Sequence, residues 1–142
     1  MKSNYPFYEI IDHTADLGIL IKGKDLPTLF HNACTALLDI MISGNSHEKP
    51  KSIKLNVTGT DLPDLMVRWL GEILYFFDGE GLIASSTTIY SVSNNNLKAS
   101  LFTVAFDPEI HKILTEIKAV TYHRIEVTEK NGIWEARVIF DL

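Results

Sequence analysis

Two short stretches of this 142-residue chain repeat one another, and the repeat constrains the fold more than any other feature. Gly23-Lys24-Asp25-Leu26-Pro27-Thr28-Leu29 is echoed by Gly59-Thr60-Asp61-Leu62-Pro63-Asp64-Leu65. Each copy follows an apolar or alternating run and precedes residues at helical spacing. The pattern reads as a strand-to-helix joint used twice: Asp25 and Asp61 cap helix N-termini, and Pro27 and Pro63 sit in the first turn, where a missing N–H costs little. Two copies are too few for a solenoid. The chain must therefore place two helices, each fed by a strand.

The first helix carries Leu26, Leu29, Phe30, Ala33, Leu37, Ile40 and Met41 as one stripe and ends at Ser43-Gly44-Asn45-Ser46. The second is apolar more widely, through Leu62, Leu65, Met66, Trp69, Leu70, Ile73, Leu74, Phe76 and Phe77, and belongs at the domain centre. Gly79 and Gly81 end it. The remainder reads as strands over 7–11, 16–23, 51–57, 82–92, 97–106, 119–128 and 133–140, with Asp12 to Ala15 a turn and 107–114 a connection. Asn131-Gly132 is a two-residue hairpin signal. Pairing about it sets Val127 opposite Ala136, Glu126 opposite Arg137, Ile125 opposite Val138, His123 opposite Phe140, and Asp141 opposite Tyr122 with Arg124 diagonal. The element order predicts an α+β fold: one two-layer domain over 1–142, a mostly antiparallel β-sheet with two main α-helices packed on it.

An apolar fraction of 46% supports a real core, and a net charge of -5 argues against a broad basic surface for strong nucleic-acid binding. A single cysteine, Cys34, cannot form an internal disulfide, which suggests a reducing compartment, and it reads as a small core residue. No run has membrane-span length. A cytoplasmic protein with no membrane partner is the expectation.

The acids nearest the two ends carry the least ordinary chemistry. Asp12 stands in Asp12-His13-Thr14-Ala15-Asp16, and Asp141 precedes Leu142, whose main-chain carboxylate would be free at the chain's end. Were folding to gather these groups, three anions would converge, and like charges in one place take up protons or recruit a cation. Hard oxygen donors suit Ca²⁺ or Mg²⁺. The plain alternative is that Asp12 caps a turn and Asp141 is a solvated end. His13 and His123 read as structural hydrogen-bonding residues, lacking a partner at metal-ligand spacing, and Lys118 as a solvated lysine on the face of Asp141. No nucleophile elbow, P-loop or dinucleotide fingerprint is present.

Tyr8-Glu9-Ile10-Ile11-Asp12-His13-Thr14-Ala15-Asp16-Leu17-Gly18 resembles the N-terminal signature of the archease family, and Glu116-Ile117-Lys118-Ala119-Val120-Thr121-Tyr122-His123 and Ala136 to Leu142 extend the likeness over essentially the whole chain. The resemblance implies a non-catalytic accessory protein of an RtcB-type RNA ligase, which joins a 3′-phosphate end to a 5′-hydroxyl end in tRNA splicing or RNA repair. Such a protein promotes guanylylation of the ligase and its multiple turnover. It also implies metal ligation by Asp12, Asp141 and the Leu142 carboxylate, with Ca²⁺ first and Mg²⁺ or Mn²⁺ as alternatives. Lys118 carries over as a functional position, and His13 stands beside it as a further functional candidate. A chaperone-like module for an RNA-modifying enzyme, its metal only structural, is the rival reading. A stand-alone metallohydrolase ranks below both, since the sequence offers only His13 as a base near such a metal.

Overall fold

The computed structural model describes residues 7–13 and 16–142, and of Asp12 and His13 the backbone alone. The elements run β1 (Tyr8–His13), β2 (Asp16–Gly23), α1 (Leu26–Met41), β3 (Ile42–Ser43), β4 (Lys51–Thr58), α2 (Leu62–Glu80), β5 (Leu82–Val92), β6 (Asn96–Ala105), β7 (Lys112–Ile113), β8 (Ala119–Val120), β9 (Glu126–Lys130) and β10 (Ile133–Asp141). The fold is α+β, and every pairing among the described strands is antiparallel.

The strands divide into three sheets. One runs β1-β2-β10 and continues on the far side of β10 with β8 and β9; a second runs β4-β6-β5; β3, just past α1, and β7, inside the expected 107–114 connection, form a two-stranded ribbon. Helix α1 packs on β2 of the first sheet and β5 of the second, while α2 touches β4, β5, β8 and β9. The helices thus bridge the two larger sheets. Leu17, Ile19 and Ile21 of β2 and Ala136, Val138 and Phe140 of β10 are fully buried on one face, against Leu29, Phe30 and Leu37 of α1 and Leu65, Trp69 and Leu70 of α2. The Trp69 indole N–H donates to the Phe30 carbonyl at 2.9 Å, so the largest core ring also satisfies its polar edge between the helices. Cys34 is buried in α1. No helix among the described residues is long and apolar enough to cross a membrane.

Both strand-to-helix joints form as the repeat predicts. Asp25 Oδ1 accepts from the Thr28 N–H at 2.8 Å, and Asp61 Oδ1 from the Asp64 N–H at 2.9 Å. The preceding glycines are required by close approach. A Cβ on Gly23 would lie 2.6 Å from the Leu29 nitrogen, and one on Gly59 2.9 Å from that of Leu65. The Asn131-Gly132 turn has φ of 54° and 79°, the doubly positive pair that a two-residue hairpin needs.

The hairpin register holds for five pairs, from Ile133↔Lys130 to Arg137↔Glu126, with Val127 opposite Ala136 as expected. Beyond them the expectation fails. Phe140 pairs with Val120 and Asp141 with Ala119, three residues out of step, so Tyr122, His123 and Ile125 do not oppose Asp141, Phe140 and Val138. The chain leaves the sheet between β8 and β9, and Arg124 takes a φ of 53° there.

Candidate functional site

The end of the first sheet gathers most of the residues singled out above. β1 and β2 are joined at that end, and β10 terminates beside their junction: Asp141 is the cross-strand partner of Asp16, and Phe140 of Leu17. Directly opposed residues place their Cβ atoms about 4.5–5.5 Å apart on one face of the sheet. Leu17 and Phe140 take the core face, so Asp16 and Asp141 share the other, where Asp141 is exposed and Asp16 half-buried. Two carboxylates set side by side repel, and no cation of this chain forms an ion pair with either among the described residues. Such a pair is suited to a hard divalent ion.

Asp12 enters the same region through a backbone irregularity. Ile10 pairs with Ile19, but Asp12 pairs with Gly18, so a β-bulge at Ile11 intervenes. Without it Asp12 would fall opposite Leu17, in a core row. The one-residue shift moves its register position to the row of Gly18 and Ile139, which has the parity of Asp16 and Asp141. Asp12 therefore lies one strand beyond Asp16 and about 7 Å along the sheet from the Asp16–Asp141 row. The side chains of Asp12 and His13 lie outside the described residues. Among those that are described, no three His, Cys, Asp or Glu groups converge as a metal cluster. The donor set fits a divalent cation in its chemistry, with Asp16 the cross-strand partner of Asp141. Asp16 carries no local sign of standing beside Asp141, because the bulge and the pairing of β2 with β10 have no local signature.

Lys118 lies beside this end. Its backbone N–H donates to the Asp141 carbonyl at 2.8 Å, and its side chain is exposed. The segment after it is fastened twice to β10: the Thr121 N–H and hydroxyl both donate to the Ile139 carbonyl, at 3.0 and 2.9 Å. Tyr122 then turns away from the sheet, and its hydroxyl donates to Asp64 Oδ1 at 2.6 Å. Asp64 is the third residue of α2 and only 8% exposed. Its Oδ2 accepts from the Thr60 N–H at 2.8 Å and Arg68 Nε at 2.9 Å. The Tyr122 hydroxyl foremost, then the Thr60 N–H and the Arg68 guanidinium, hold the Asp64 carboxyl down at about 2, while the bond to Asp64 pushes the Tyr122 hydroxyl up. The second joint departs from the first at two positions, Thr60 for Lys24 and Asp64 for Thr28, and the added carboxylate is the available sign that it does more than start a helix.

His123 is exposed, its N–H donating to Thr121 Oγ1 at 3.2 Å, and it makes no approach to Asp141 through the strand pairing. His31, His47 and Glu48 are exposed and lie on α1 or in the segment that follows β3, away from this sheet end.

The sequence profile of the Archease protein family matches residues 8–142. The chain belongs to the archease family. A curated archease from Methanosarcina acetivorans is 32% identical over 146 aligned residues, spanning the whole of both chains. That of Sulfolobus acidocaldarius is 29% identical over 136, covering 95% of this chain and 98% of its own. Among solved structures, the solution structure of protein 1598 of Methanobacterium thermoautotrophicum matches with a TM-score of 0.72 at 28% identity, over 96% of this chain and 99% of that one. A Thermotoga maritima protein described as an archease and possible chaperone matches with a TM-score of 0.64 over 94% and 96%, and at 20% identity that likeness speaks to fold alone. The archease match therefore takes in the β1–β2 junction, the Asp64–Tyr122 contact and the end of β10 together.

Proposed function

We propose that this archease-family chain is a non-catalytic activator of an RtcB-type RNA ligase, promoting guanylylation and multiple turnover of the ligase in tRNA splicing or RNA repair. In this reading a divalent cation, Ca²⁺ first, is held at the end of β10 by Asp141, the Leu142 main-chain carboxylate and an acid of the β1–β2 junction. The observation that carries it is the direct pairing of Asp16 with Asp141, with the Asp12 register position two residues away on the next strand. Two unpaired neighbouring carboxylates favour a cation that can serve both. Asp12 is the acid proposed as the third ligand, and Asp16, the cross-strand partner of Asp141, is a further candidate. A cation so held would stabilise charge on a bound triphosphate of the partner. Lys118, tied through its backbone to Asp141, and His13, at the junction itself, flank the same edge. The chain's charge of -5 suits docking to a partner that carries a cationic RNA channel.

The test is multiple-turnover ligation by a purified RtcB-type ligase at matched GTP and metal. Wild type should stimulate turnover. Asp141→Ala, Asp16→Ala and a chain extended by one residue past Leu142 should not. Full stimulation by all three variants would overturn the site, and no stimulation by the wild type would overturn the function. The description of the Thermotoga protein as a possible chaperone supports the rival reading, in which the metal is only structural. That reading predicts a loss of thermal stability in the same variants with no effect on ligase turnover at any stage.

A further inference from the structure

The sheet β4-β6-β5 presents a second surface, far in character from the acidic end of β10. Its three strands contain three lysines and no Asp or Glu, within a chain of net charge -5. The outward rows follow from the pairing. Lys54 opposes Ser100, which opposes Thr88; Asn56 opposes Lys98, which opposes Ser91. Lys54 and Lys98 are thus diagonal neighbours on adjacent strands of one exposed face, and neither belongs to any ion pair among the described residues. Lysines on edge strands guard against edge-to-edge pairing. That reason covers Lys54 on β4 and leaves Lys98 unexplained, because β6 is the central strand.

Tyr90 of β5 lines the same groove as the two lysines. The pairing of β5 with β6 slips between Ile89 and Ser91, so Tyr90 is the extra residue of a β-bulge, a device that re-aims a side chain. Its hydroxyl bonds Ser100 Oγ at 3.0 Å, and Ser100 is only 1% exposed. The ring is therefore tethered at its tip by a buried partner, yet Tyr90 is 61% exposed, the most exposed of the large hydrophobic side chains among the described residues. Lys54, Asn56, Lys98 and Tyr90 line one shallow groove. Asn56 Oδ1 accepts from the Asn96 amide at 2.7 Å, which leaves the Asn56 amide nitrogen to donate outward.

A tethered aromatic ring, two cations outside any ion pair among the described residues, an amide donor and hydroxyl-bearing strands that contain no carboxylate match the requirements of one ligand class. Bases stack on aromatic rings, and phosphates bind ammonium groups. We propose that the outer face of β4-β6-β5 is a weak, salt-sensitive binding site for single-stranded nucleic acid, with a base stacked on Tyr90 and adjoining phosphates on Lys54 and Lys98. The site stands apart from the β10 end and does not depend on the cation reading.

Fluorescence anisotropy with a labelled oligouridylate at low ionic strength tests it on the full chain. Wild type should bind, and affinity should fall on adding salt. The Lys54→Gln/Lys98→Gln double variant should flatten the logarithmic salt slope by about 1.4, the value for two phosphate contacts on a single strand. Tyr90→Ala should weaken binding on the order of tenfold, Tyr90→Phe much less, since the ring is kept. A duplex of the same length should bind less well than the single strand, its bases being unavailable for stacking. No binding by the wild type, unchanged binding by the lysine double variant, or equal affinity of wild type and Tyr90→Ala would each overturn the proposal. So would an oligoglutamate peptide binding as well as the oligonucleotide, which would mark the face as a contact for an acidic protein. Circular dichroism of each variant separates lost binding from lost folding.

Discussion

The Tyr122 hydroxyl reaches Asp64 across 58 residues of sequence, at 2.6 Å, and joins the loop beside β10 to the first turn of α2. The contact matters because β8 is two residues long. So short a strand makes too few ladder bonds to hold itself on a sheet. The Lys118 bond to Asp141, the Thr121 bonds to Ile139 and the Tyr122 bond to Asp64 add to that ladder on either side of Ala119 and Val120.

Tyr122→Phe tests this directly. Tyr122 is 56% exposed, so the substitution leaves the core intact. The amide of Lys118, whose partner is the Asp141 carbonyl, should exchange with solvent on the order of tenfold faster, while amides in the β2–β10 ladder keep their protection. Unchanged exchange at Lys118 would show that the loop is held without the tyrosine.

Asp64 also sets an acid response. Its carboxyl is held at about 2, below the ordinary 3.8. As pH falls the unfolded chain takes up the proton first, so the stability this group contributes is complete above about pH 4 and drains away between about pH 4 and pH 2. Asp64→Asn should be less stable than wild type at neutral pH, and its urea midpoint should fall less steeply through that window. Parallel curves for the two proteins would refute the assignment.

Two glycine substitutions should act in opposite directions. Gly23→Ala drives a Cβ to 2.6 Å from the Leu29 backbone nitrogen, an approach that only backbone movement relieves, and should cost about 2–4 kcal/mol. Gly71 lies inside α2 with nothing within 4 Å of where its Cβ would be. Gly71→Ala should therefore stabilise by about 0.5–1 kcal/mol through helix propensity. Urea denaturation reads both.

The Asp16–Asp141 pair predicts an inversion of sign. With chelator present, Asp16→Asn removes one of two opposed like charges and should raise stability by about 0.2–1 kcal/mol. With Ca²⁺ in large excess, the wild type should gain about 2.7 kcal/mol at a hundredfold excess over its dissociation constant, and Asp16→Asn should gain little. Asp12→Asn distinguishes the two candidate ligands in the same thermal-shift assay. A wild type indifferent to calcium, magnesium and manganese would refute the cation site.

The parts of this molecule legible in its sequence were those set by local chemistry. Asp25 and Asp61 cap their helices and Asn131-Gly132 turns its hairpin because the determinants lie within a few residues of the effect. The hairpin register was correct as far as Glu126↔Arg137 for the same reason. It failed beyond, where Tyr122 satisfies its hydroxyl on Asp64 rather than continuing the strand, a choice made by a helix far away in sequence. The division into three sheets escaped detection likewise, since alternation shows that a strand has a buried face without saying which neighbour it meets. At the sheet end, the sequence draws attention to Asp141 without showing that Asp16 stands across from it. Only the ladder between β2 and β10 makes Asp16, rather than Asp12, the residue beside it.

Cys34 gives the fold a built-in reporter. It is the chain's single thiol, shut inside α1, and burial pushes it up to about 12, so in the native state it is neither ionised at neutral pH nor within reach of a reagent. Alkylation must wait for the helix to come away from both sheets it bridges. The rate at which a maleimide consumes the protein thus times the opening of the molecule's centre, with no second sulfhydryl to blur the clock.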